Sequence, residues 1–167
     1  SYPFARIGAE VSRLQGLGVD VVDFGVGDPS TPTPEVVREA CKRGVDAHAS
    51  AGYPSYVGRA DYLQAVAAWT ERRYGVSLDP DREVAATIGS KEAVFHFPAA
   101  IIEPGDVVLA PNPGYPPYRT GTRFAEGTVH HYPVTAAGDF LPDLDGIPAA
   151  IAARARLPWV TAPHSPT

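Results

Sequence analysis

Three consecutive residues, Gly89-Ser90-Lys91, have the types and the order of an anion site. They follow a short apolar run that predicts a strand, and they precede a helical pattern. Backbone N–H groups at the start of a helix lack an intrahelical acceptor and carry a partial positive charge, so they bind anions such as phosphate. Gly89 would allow close approach to the backbone, and Ser90 would add a hydroxyl donor. The same residues are also typical of an ordinary strand–turn–helix with Ser90 as the N-cap, and both interpretations stay open.

A second candidate is Tyr115, which stands in the run Pro111-Asn112-Pro113-Gly114-Tyr115-Pro116-Pro117. A short apolar strand is predicted directly before this run. Because prolines fix the backbone, the tyrosine ring is ordered before a ligand arrives and makes a good stacking platform for a flat ring. A tyrosine that only fills its own loop would have the same surroundings, so the sequence leaves two interpretations here as well.

Spacing argues against three other kinds of site. Gly25-Val26-Gly27 has the first two glycines of a dinucleotide-binding motif, but the third glycine is absent, which argues against such a site. The functional interpretation that remains is a backbone surface against which a flat substrate could lie. His130 and His131 are adjacent on a predicted strand, so their side chains point to opposite faces and cannot easily share a metal ion. Ser165 lies outside any Gly-x-Ser-x-Gly elbow, which disfavours a hydrolytic triad.

The composition is that of an ordinary globular chain. It has 167 residues, of which 44% are hydrophobic and 20% charged, and this excludes a fibrous or disordered protein. The net charge of −5 without a basic stripe argues against a nucleic-acid partner. No apolar run approaches the length of a membrane span and no signal-like stretch is visible, so we expect a cytoplasmic protein. Cys41 is the single cysteine, which excludes an internal disulfide and a multi-cysteine metal site.

Helices are predicted where apolar residues recur at helical spacing. The clearest covers residues 59–74, with Gly75 at the position of a C-terminal cap. Thr33 before Pro34 predicts an N-cap and a helix that continues to about Val45. Further helices are predicted over residues 3–16, 91–102, 118–125 and 149–155.

Short apolar runs predict strands over residues 19–24, 83–88, 107–110, 128–134 and 157–161. From residue 83 onward the strands alternate with helices. This order indicates an α/β protein, with a three-layer, parallel-type sheet covered by helices and preceded by an N-terminal helical segment. Because ligands of such sheets bind beyond the carboxyl ends of the strands, the candidate loops are residues 25–29, 89–91, 111–117 and 162–167.

Several runs occur together and in a fixed order: Tyr2-Pro3-Phe4-Ala5-Arg6-Ile7, Asp23-Phe24-Gly25-Val26-Gly27-Asp28-Pro29, Tyr53-Pro54-Ser55-Tyr56-Val57-Gly58, Ile88-Gly89-Ser90-Lys91-Glu92-Ala93, Pro104-Gly105-Asp106 and Pro113-Gly114-Tyr115-Pro116. This ordered set resembles the front part of a class I/II aminotransferase, a pyridoxal-phosphate (PLP) enzyme of fold type I. Within that family it is most similar to the LL-diaminopimelate aminotransferase-like group. The resemblance covers essentially the whole chain.

The resemblance implies a role for the residues of the candidate loops. Gly89, Ser90 and Lys91 match the cup whose backbone N–H groups and hydroxyl hold the cofactor phosphate. Tyr115 matches the aromatic residue that stacks on the pyridine ring. Tyr53 matches a tyrosine that reaches the phosphate of the partner subunit, so a homodimer is implied.

Two further matches concern the substrate and the cofactor ring. Val26 and Gly27 match the N-terminal strip that lies over the substrate. Ser165 stands where the family has an asparagine that donates to the phenolic oxygen of the ring. A serine is shorter and has one hydroxyl donor in place of an amide, so a departure in cofactor tuning is expected.

The resemblance also implies a domain organisation. Residues 1–50 correspond to an N-terminal arm and a small-domain segment, and residues 51–167 to the first, incomplete part of the PLP-binding large domain. The family's lysine that binds the cofactor covalently is expected after Thr167. Lys42 and Lys91, the two lysines of the chain, do not fit that role. We therefore expect no catalytic residue among the 167 and no transamination by them alone.

The activity implied by the resemblance is transfer of an amino group between an amino acid, such as diaminopimelate, and a 2-oxo acid, as a step of amino-acid biosynthesis. Two alternatives stay open from the sequence. One is a fold type I lyase, which shares these N-terminal loops. The other is a non-catalytic remnant that only dimerises or binds a partner.

Overall fold

The computed structural model describes residues 3–165 except Val26 and Asp28. The chain divides into two compact units, Ser1–Tyr53 and Pro54–Thr167. Within the described residues, no helix is both long enough and apolar enough to cross a membrane.

The first unit contains two helices, α1 (Pro3–Gly16) and α2 (Glu35–Ala47). Both helices are confirmed, and α1 has the predicted bounds. The prediction of Thr33 as the N-cap of α2 is wrong, because Pro34 occupies the cap with a ψ of 141° and no side chain caps the helix. The Pro34 carbonyl still accepts the N–H of Val37 at 3.0 Å, so the first turn closes without a side-chain oxygen.

The second unit begins with helix α3 (Ala60–Tyr74). Gly75 ends it with a φ of +69°, the left-handed conformation that glycine adopts without steric cost, and this confirms the predicted C-terminal cap. Leu63 and Ala67 are buried on one side of the helix. They are four residues apart, so the apolar spacing in the sequence identifies the face that packs inward.

A parallel three-stranded sheet forms the centre of the second unit. Its strands are β1 (Val107–Asn112), β2 (Thr128–Pro133) and β3 (Ala155–Pro158), in the order β2-β1-β3. Val107 pairs with Thr128 on one side and with Ala155 on the other. The three strands therefore end at the same edge, as the fold class predicted. The third strand lies two residues earlier at its start than the sequence indicated.

Helices cover the sheet, as the alternation of strands and helices predicted. They are α4 (Ser90–Ile101), α5 (Pro116–Phe124) and the short α6 (Ala149–Ala152). A 3₁₀ turn at Ala136–Gly138, which no sequence pattern indicated, follows β2.

The alternation of side chains along β1 divides the core into two clusters. Val107 and Leu109 pack with Tyr132 and Val134, and with Ile151 of α6. On the opposite face, a second cluster lies under the ends of α4 and α5: Val108, Ile102, Leu157, Ala125 and Trp159. The predicted three-layer α/β architecture is thus confirmed.

Helices α4 and α5 approach each other closely at Gly121. A Cβ atom at this position would lie 2.3 Å from the carbonyl oxygen of Phe95 on α4. The rings of Phe95 and Phe124 are 5.5 Å apart next to this crossing. Only a residue without a side chain fits, so Gly121 determines the separation of the two helices.

The strands predicted over residues 19–24 and 83–88 are wrong, because neither run belongs to a sheet in the described part of the chain. The backbone hydrogen bonds of the second run are those of a loop: Glu83 N–H donates to the Asp79 carbonyl at 2.9 Å, and Ala86 N–H to the Val57 carbonyl at 3.3 Å. The side chains of Phe24 and Ile88 are each 93% exposed. A strand needs a partner for its backbone groups, and an apolar sequence cannot specify that partner.

Candidate functional site

The turn that precedes α4 has the backbone of an anion site. Gly89 is the N-cap, with φ +78° and ψ 155°, a conformation that is essentially restricted to glycine. Nothing lies within 4 Å of a Cβ built there, so the backbone conformation alone requires glycine. Ser90 is the first helical residue and makes no cap hydrogen bond, so the interpretation of Ser90 as an N-cap is wrong.

The amide N–H groups of Ser90 and Lys91 have no hydrogen-bond acceptor among the described residues. The next amide, that of Glu92, donates to the Gly89 carbonyl at 3.2 Å. Ser90 and Lys91 are exposed. Two adjacent donors thus face solvent at the positive end of a twelve-residue helix, where an anion is stabilised.

The Glu92 carboxylate orders this turn. It accepts a hydrogen bond from the backbone N–H of Ile88, the residue before the N-cap. The contact resembles the reach-back half of a capping box, but it is displaced by one residue from the N-cap, and no serine or threonine supplies the other half. The turn is therefore held by Glu92, which leaves the hydroxyl of Ser90 available to a ligand.

Tyr115 lies just beyond the carboxyl end of β1 and is the N-cap of α5. Its side chain is 40% exposed, so one part of the ring is held and another part faces solvent. Gly114 packs so tightly beside it that a Cβ there would lie 2.4 Å from the Pro111 carbonyl oxygen. The loop holds the ring through close backbone packing as well as through its prolines.

Tyr115 and Ser165 line one pocket on the β3 side of this loop, with a volume of about 310 Å³. The other residues of its wall are Gly114, Pro116, Tyr118 and Thr161. Ser165 is exposed and lies in the segment of the chain that follows β3. The pocket therefore combines an aromatic ring with hydroxyl groups beyond the carboxyl ends of β1 and β3.

Tyr118 and Trp159 form the support under this pocket. Their rings stack 4.8 Å apart with an interplanar angle of 18°, and the Tyr118 hydroxyl lies 2.7 Å from Oγ1 of Thr161. The Trp159 carbonyl accepts the hydroxyl of Tyr132 at 2.6 Å. Tyr115 meets Tyr118 edge to face at 5.8 Å. The stacking platform thus rests on ordered aromatic residues.

Tyr118 and Thr161 are site residues that are not among those predicted from the sequence. Tyr118 follows Tyr115 by three residues at the start of a helix, and this spacing places neighbouring side chains on one face. That signal was available in the sequence. Thr161 gave no comparable signal, because its contact with Tyr118 joins residues 43 positions apart.

Other predicted site residues are not brought to this pocket. Gly89, Ser90 and Lys91 are absent from its lining. Gly27 and Tyr53 belong to the first unit, and both are exposed, Tyr53 fully. Val26 lies outside the described residues.

A neighbouring charge shifts the pKa of Asp61, and burial shifts the pKa of Tyr132. The Arg59 guanidinium, which lies 2.6 Å from the carboxylate of Asp61, lowers the pKa of Asp61 to about 2. Burial raises the pKa of the Tyr132 phenol, and Tyr118 adds to this shift. The Arg59–Asp61 pair is exposed at the start of α3, whereas Tyr132 is buried in the core.

A family model for aminotransferase class I and II matches residues 19–167. The chain is 46% identical over 166 residues to an LL-diaminopimelate aminotransferase of Aquifex aeolicus, covering 99% of this chain and 43% of that protein. It is 48% identical over 166 residues to the enzyme of the same name from Desulforudis audaxviator, covering 99% of this chain and 42% of that protein. The chain therefore spans less than half the length of these relatives.

Solved structures show the same fold. A probable N-succinyldiaminopimelate aminotransferase from Thermus thermophilus superposes with a TM-score of 0.87 at 31% identity, over 98% of this chain and 44% of that one. An alanine aminotransferase from Pyrococcus furiosus superposes with a TM-score of 0.85 at 28% identity, over 100% of this chain and 43% of that one. These likenesses give no better support to a lyase or to a non-catalytic protein.

Proposed function

Because the chain belongs to the class I and II aminotransferase family, we propose that it supplies the cofactor cradle of an enzyme that moves an amino group between an amino acid and a 2-oxo acid. The observation that carries the proposal is the turn before α4. It presents two adjacent amide donors and a serine hydroxyl without internal acceptors.

The residues present fit PLP, which combines a phosphate with a flat aromatic ring. The phosphate suits the N–H groups of Ser90 and Lys91, which an anion would satisfy. The pyridine ring of PLP suits the partly exposed aromatic ring of Tyr115, and the Ser165 hydroxyl lines the same pocket. When bound, PLP supplies an electron sink for chemistry at the carbon that carries the amino group.

Each residue of the cradle has a separate task. Ser90 and Lys91 bind the phosphate through their backbone, and Ser90 adds its hydroxyl. Tyr115 orients the ring and covers one face of it against water. Ser165 donates a hydrogen bond to the phenolic oxygen of the ring, with one hydroxyl in place of an amide.

Neither lysine of the chain serves as the reacting amine in this proposal. Lys42 is exposed on α2 and pairs with Glu39 at 2.7 Å. Lys91 stands at the phosphate end of the cradle, where the backbone is the binding group.

The names of the relatives support a proposal for the substrate class. The first curated relatives are LL-diaminopimelate aminotransferases with 46% and 48% identity to this chain. We infer a diaminopimelate-like amino acid as the amino-group donor and a role in amino-acid biosynthesis. We propose Val26 and Gly27 as substrate-binding residues, as the family resemblance implies.

We also propose a cytoplasmic homodimer in which Tyr53 reaches the phosphate of the partner subunit. The fully exposed side chain of Tyr53 suits this role, since it is available for an intermolecular contact. In the same organisation, residues 1–50 belong to an arm and a small-domain segment, and residues 51–167 to the PLP-binding domain.

A series of variants at Ser90 tests the cradle. Proline is well tolerated as the first residue of a helix, and the ψ of 155° at Gly89 suits a following proline, so Ser90→Pro should fold normally. It removes both an amide donor and the hydroxyl, whereas Ser90→Ala removes the hydroxyl alone. We expect PLP affinity, measured by the change in cofactor absorbance, to fall in the order wild type, Ser90→Ala, Ser90→Pro.

Circular dichroism serves as the control for folding in this series. If folded Ser90→Pro binds PLP as tightly as the wild type, the cradle is wrongly placed. Tyr115→Ala should separately weaken PLP binding by about 1 kcal/mol, the scale of an aromatic stacking pair. Unchanged affinity in that variant would mean that Tyr115 only fills its loop.

A further inference from the structure

A second pocket lies on the β2 side of the Tyr115 loop and has no role in the proposed cradle. Its volume is about 410 Å³. The lining residues that matter here are Ala110, Asn112, Tyr115, Tyr118, Arg119 and His131. Ser165 and the turn before α4 are absent from this lining. We call it the β2-side pocket.

The sheet register explains why these polar groups share one face. His131 pairs with Ala110 across the β1–β2 ladder, and Ala110 is on the opposite face of β1 from Leu109, which packs with Tyr132 and Ile151. Asn112, two residues after Ala110, points to the same face as Ala110. Arg119 comes from α5, which covers this face. Three polar side chains from three elements therefore meet at one cavity.

The charge around the β2-side pocket is positive, although the chain as a whole carries −5. No aspartate or glutamate lines it. Between Asp106 and Asp139 the sequence contains a single acidic residue, Glu126, which lies at the far end of α5. Within the described residues, neither Arg119 nor His131 forms an ion pair. An arginine fork without a carboxylate partner is a suitable donor for an external carboxylate.

The floor of the pocket is apolar. Ala110, at its base, is 1% exposed, whereas Arg119 and His131 are exposed at the rim. The volume falls in the range of small-molecule sites and exceeds what one inorganic anion fills. An apolar floor with a cationic rim suits a molecule that has a hydrocarbon body and one anionic end.

We propose that the β2-side pocket binds a small organic carboxylate, with its hydrocarbon part against Ala110, Tyr115 and Tyr118 and its carboxylate on Arg119 and His131. The amide of Asn112 supplies an additional donor. The pocket shares Tyr115 with the proposed cofactor pocket, so a bound carboxylate contacts the Tyr115 loop without contacting Ser165 or the turn before α4.

The test titrates 4-methylpentanoate into the whole 167-residue chain by calorimetry and by NMR. The resonances of the His131 ring and the Arg119 side chain should shift, and those of the Ser90 and Lys91 amides should not. Arg119→Gln should weaken binding by about ten-fold or more, the scale of one charge-assisted hydrogen bond. Arg123→Gln is the matched control, because Arg123 is also an exposed arginine of α5 but does not line the pocket.

Two further ligands separate the parts of the proposal. The methyl ester of 4-methylpentanoate should not bind, since it lacks the charge, and acetate should bind more weakly, since it lacks the hydrocarbon body. Equal affinity of Arg119→Gln and Arg123→Gln, or shifts confined to Ser90, Lys91 and Ser165, would overturn the proposal. Loss of PLP binding in Ser90→Pro concerns the cradle alone, so the two sites can fail independently.

Discussion

Replacing Gly121 by alanine should push α4 and α5 apart, and with them the two helix starts that carry Ser90 and Tyr115. The new Cβ would lie 2.3 Å from the Phe95 carbonyl oxygen, where an ordinary contact is at least 3.4 Å. The helices must therefore separate by about 1 Å. Overpacking of this kind costs about 3 kcal/mol at the upper end of its usual range, and alanine returns about 1 kcal/mol of helix propensity. We expect a net loss of about 2 kcal/mol.

Tryptophan fluorescence during urea unfolding measures this loss selectively. Trp69 and Trp159 are the only tryptophans of the chain, and both lie in the second unit, as Gly121 does. The free energy of unfolding from this signal should fall by about 2 kcal/mol in Gly121→Ala, which is roughly a thirty-fold change in the ratio of folded to unfolded protein. PLP affinity should fall as well, because both helix starts move.

Gly44→Ala is the matched control for the same substitution. Gly44 lies inside α2, and nothing is within 4 Å of a Cβ built there. Alanine should therefore stabilise α2 by about 0.5–1 kcal/mol and should not lower the tryptophan-monitored stability. If Gly121→Ala is as stable as the wild type, the close crossing of α4 and α5 does not exist and the reasoning is refuted.

Two other predictions concern titratable groups. Tyr132→Phe should destabilise the protein by about 1–3 kcal/mol, because the Trp159 carbonyl loses a buried hydrogen-bond donor. Since burial raises the pKa of Tyr132, this difference in unfolding free energy should be complete below pH 10.0 and disappear as the pH rises through the higher folded pKa. Urea unfolding of both proteins at several pH values measures the difference. An unchanged difference at high pH would contradict this assignment. The Asp61 carboxyl should titrate with a pKa of about 2 by NMR, and this pKa should return towards 3.8 in Arg59→Gln. The contribution of Asp61 to stability is therefore present above pH 3.8 and is lost as the pH falls through about 2. A carboxyl that titrates normally in the wild type would exclude the ion pair with Arg59.

Local sequence signals were sufficient for most helices of this chain. The helix over residues 60–74 was predicted from its apolar spacing and from Gly75, and both features depend only on neighbouring residues. The turn Gly89-Ser90-Lys91 was likewise identified from order and residue type. Its exact form was not, because the cap is Gly89 and Glu92 reaches back to Ile88. A serine beside a helix start satisfies two local patterns equally well, and only the backbone conformation separates them.

The α/β class, the loops beyond the strands and the family resemblance could be predicted from the sequence, since they depend on residue types in a fixed order along the chain. Which apolar runs become strands depends on contacts between distant parts of the chain. Residues 107–112 have partners on both sides, whereas residues 19–24 and 83–88 have none among the described residues. The tertiary structure also decided that Thr161 meets Tyr118 and that His131 shares a face with Asn112. These contacts join residues that are distant in sequence. Strand register and helix packing bring them together, so a pattern among neighbouring residues does not predict them.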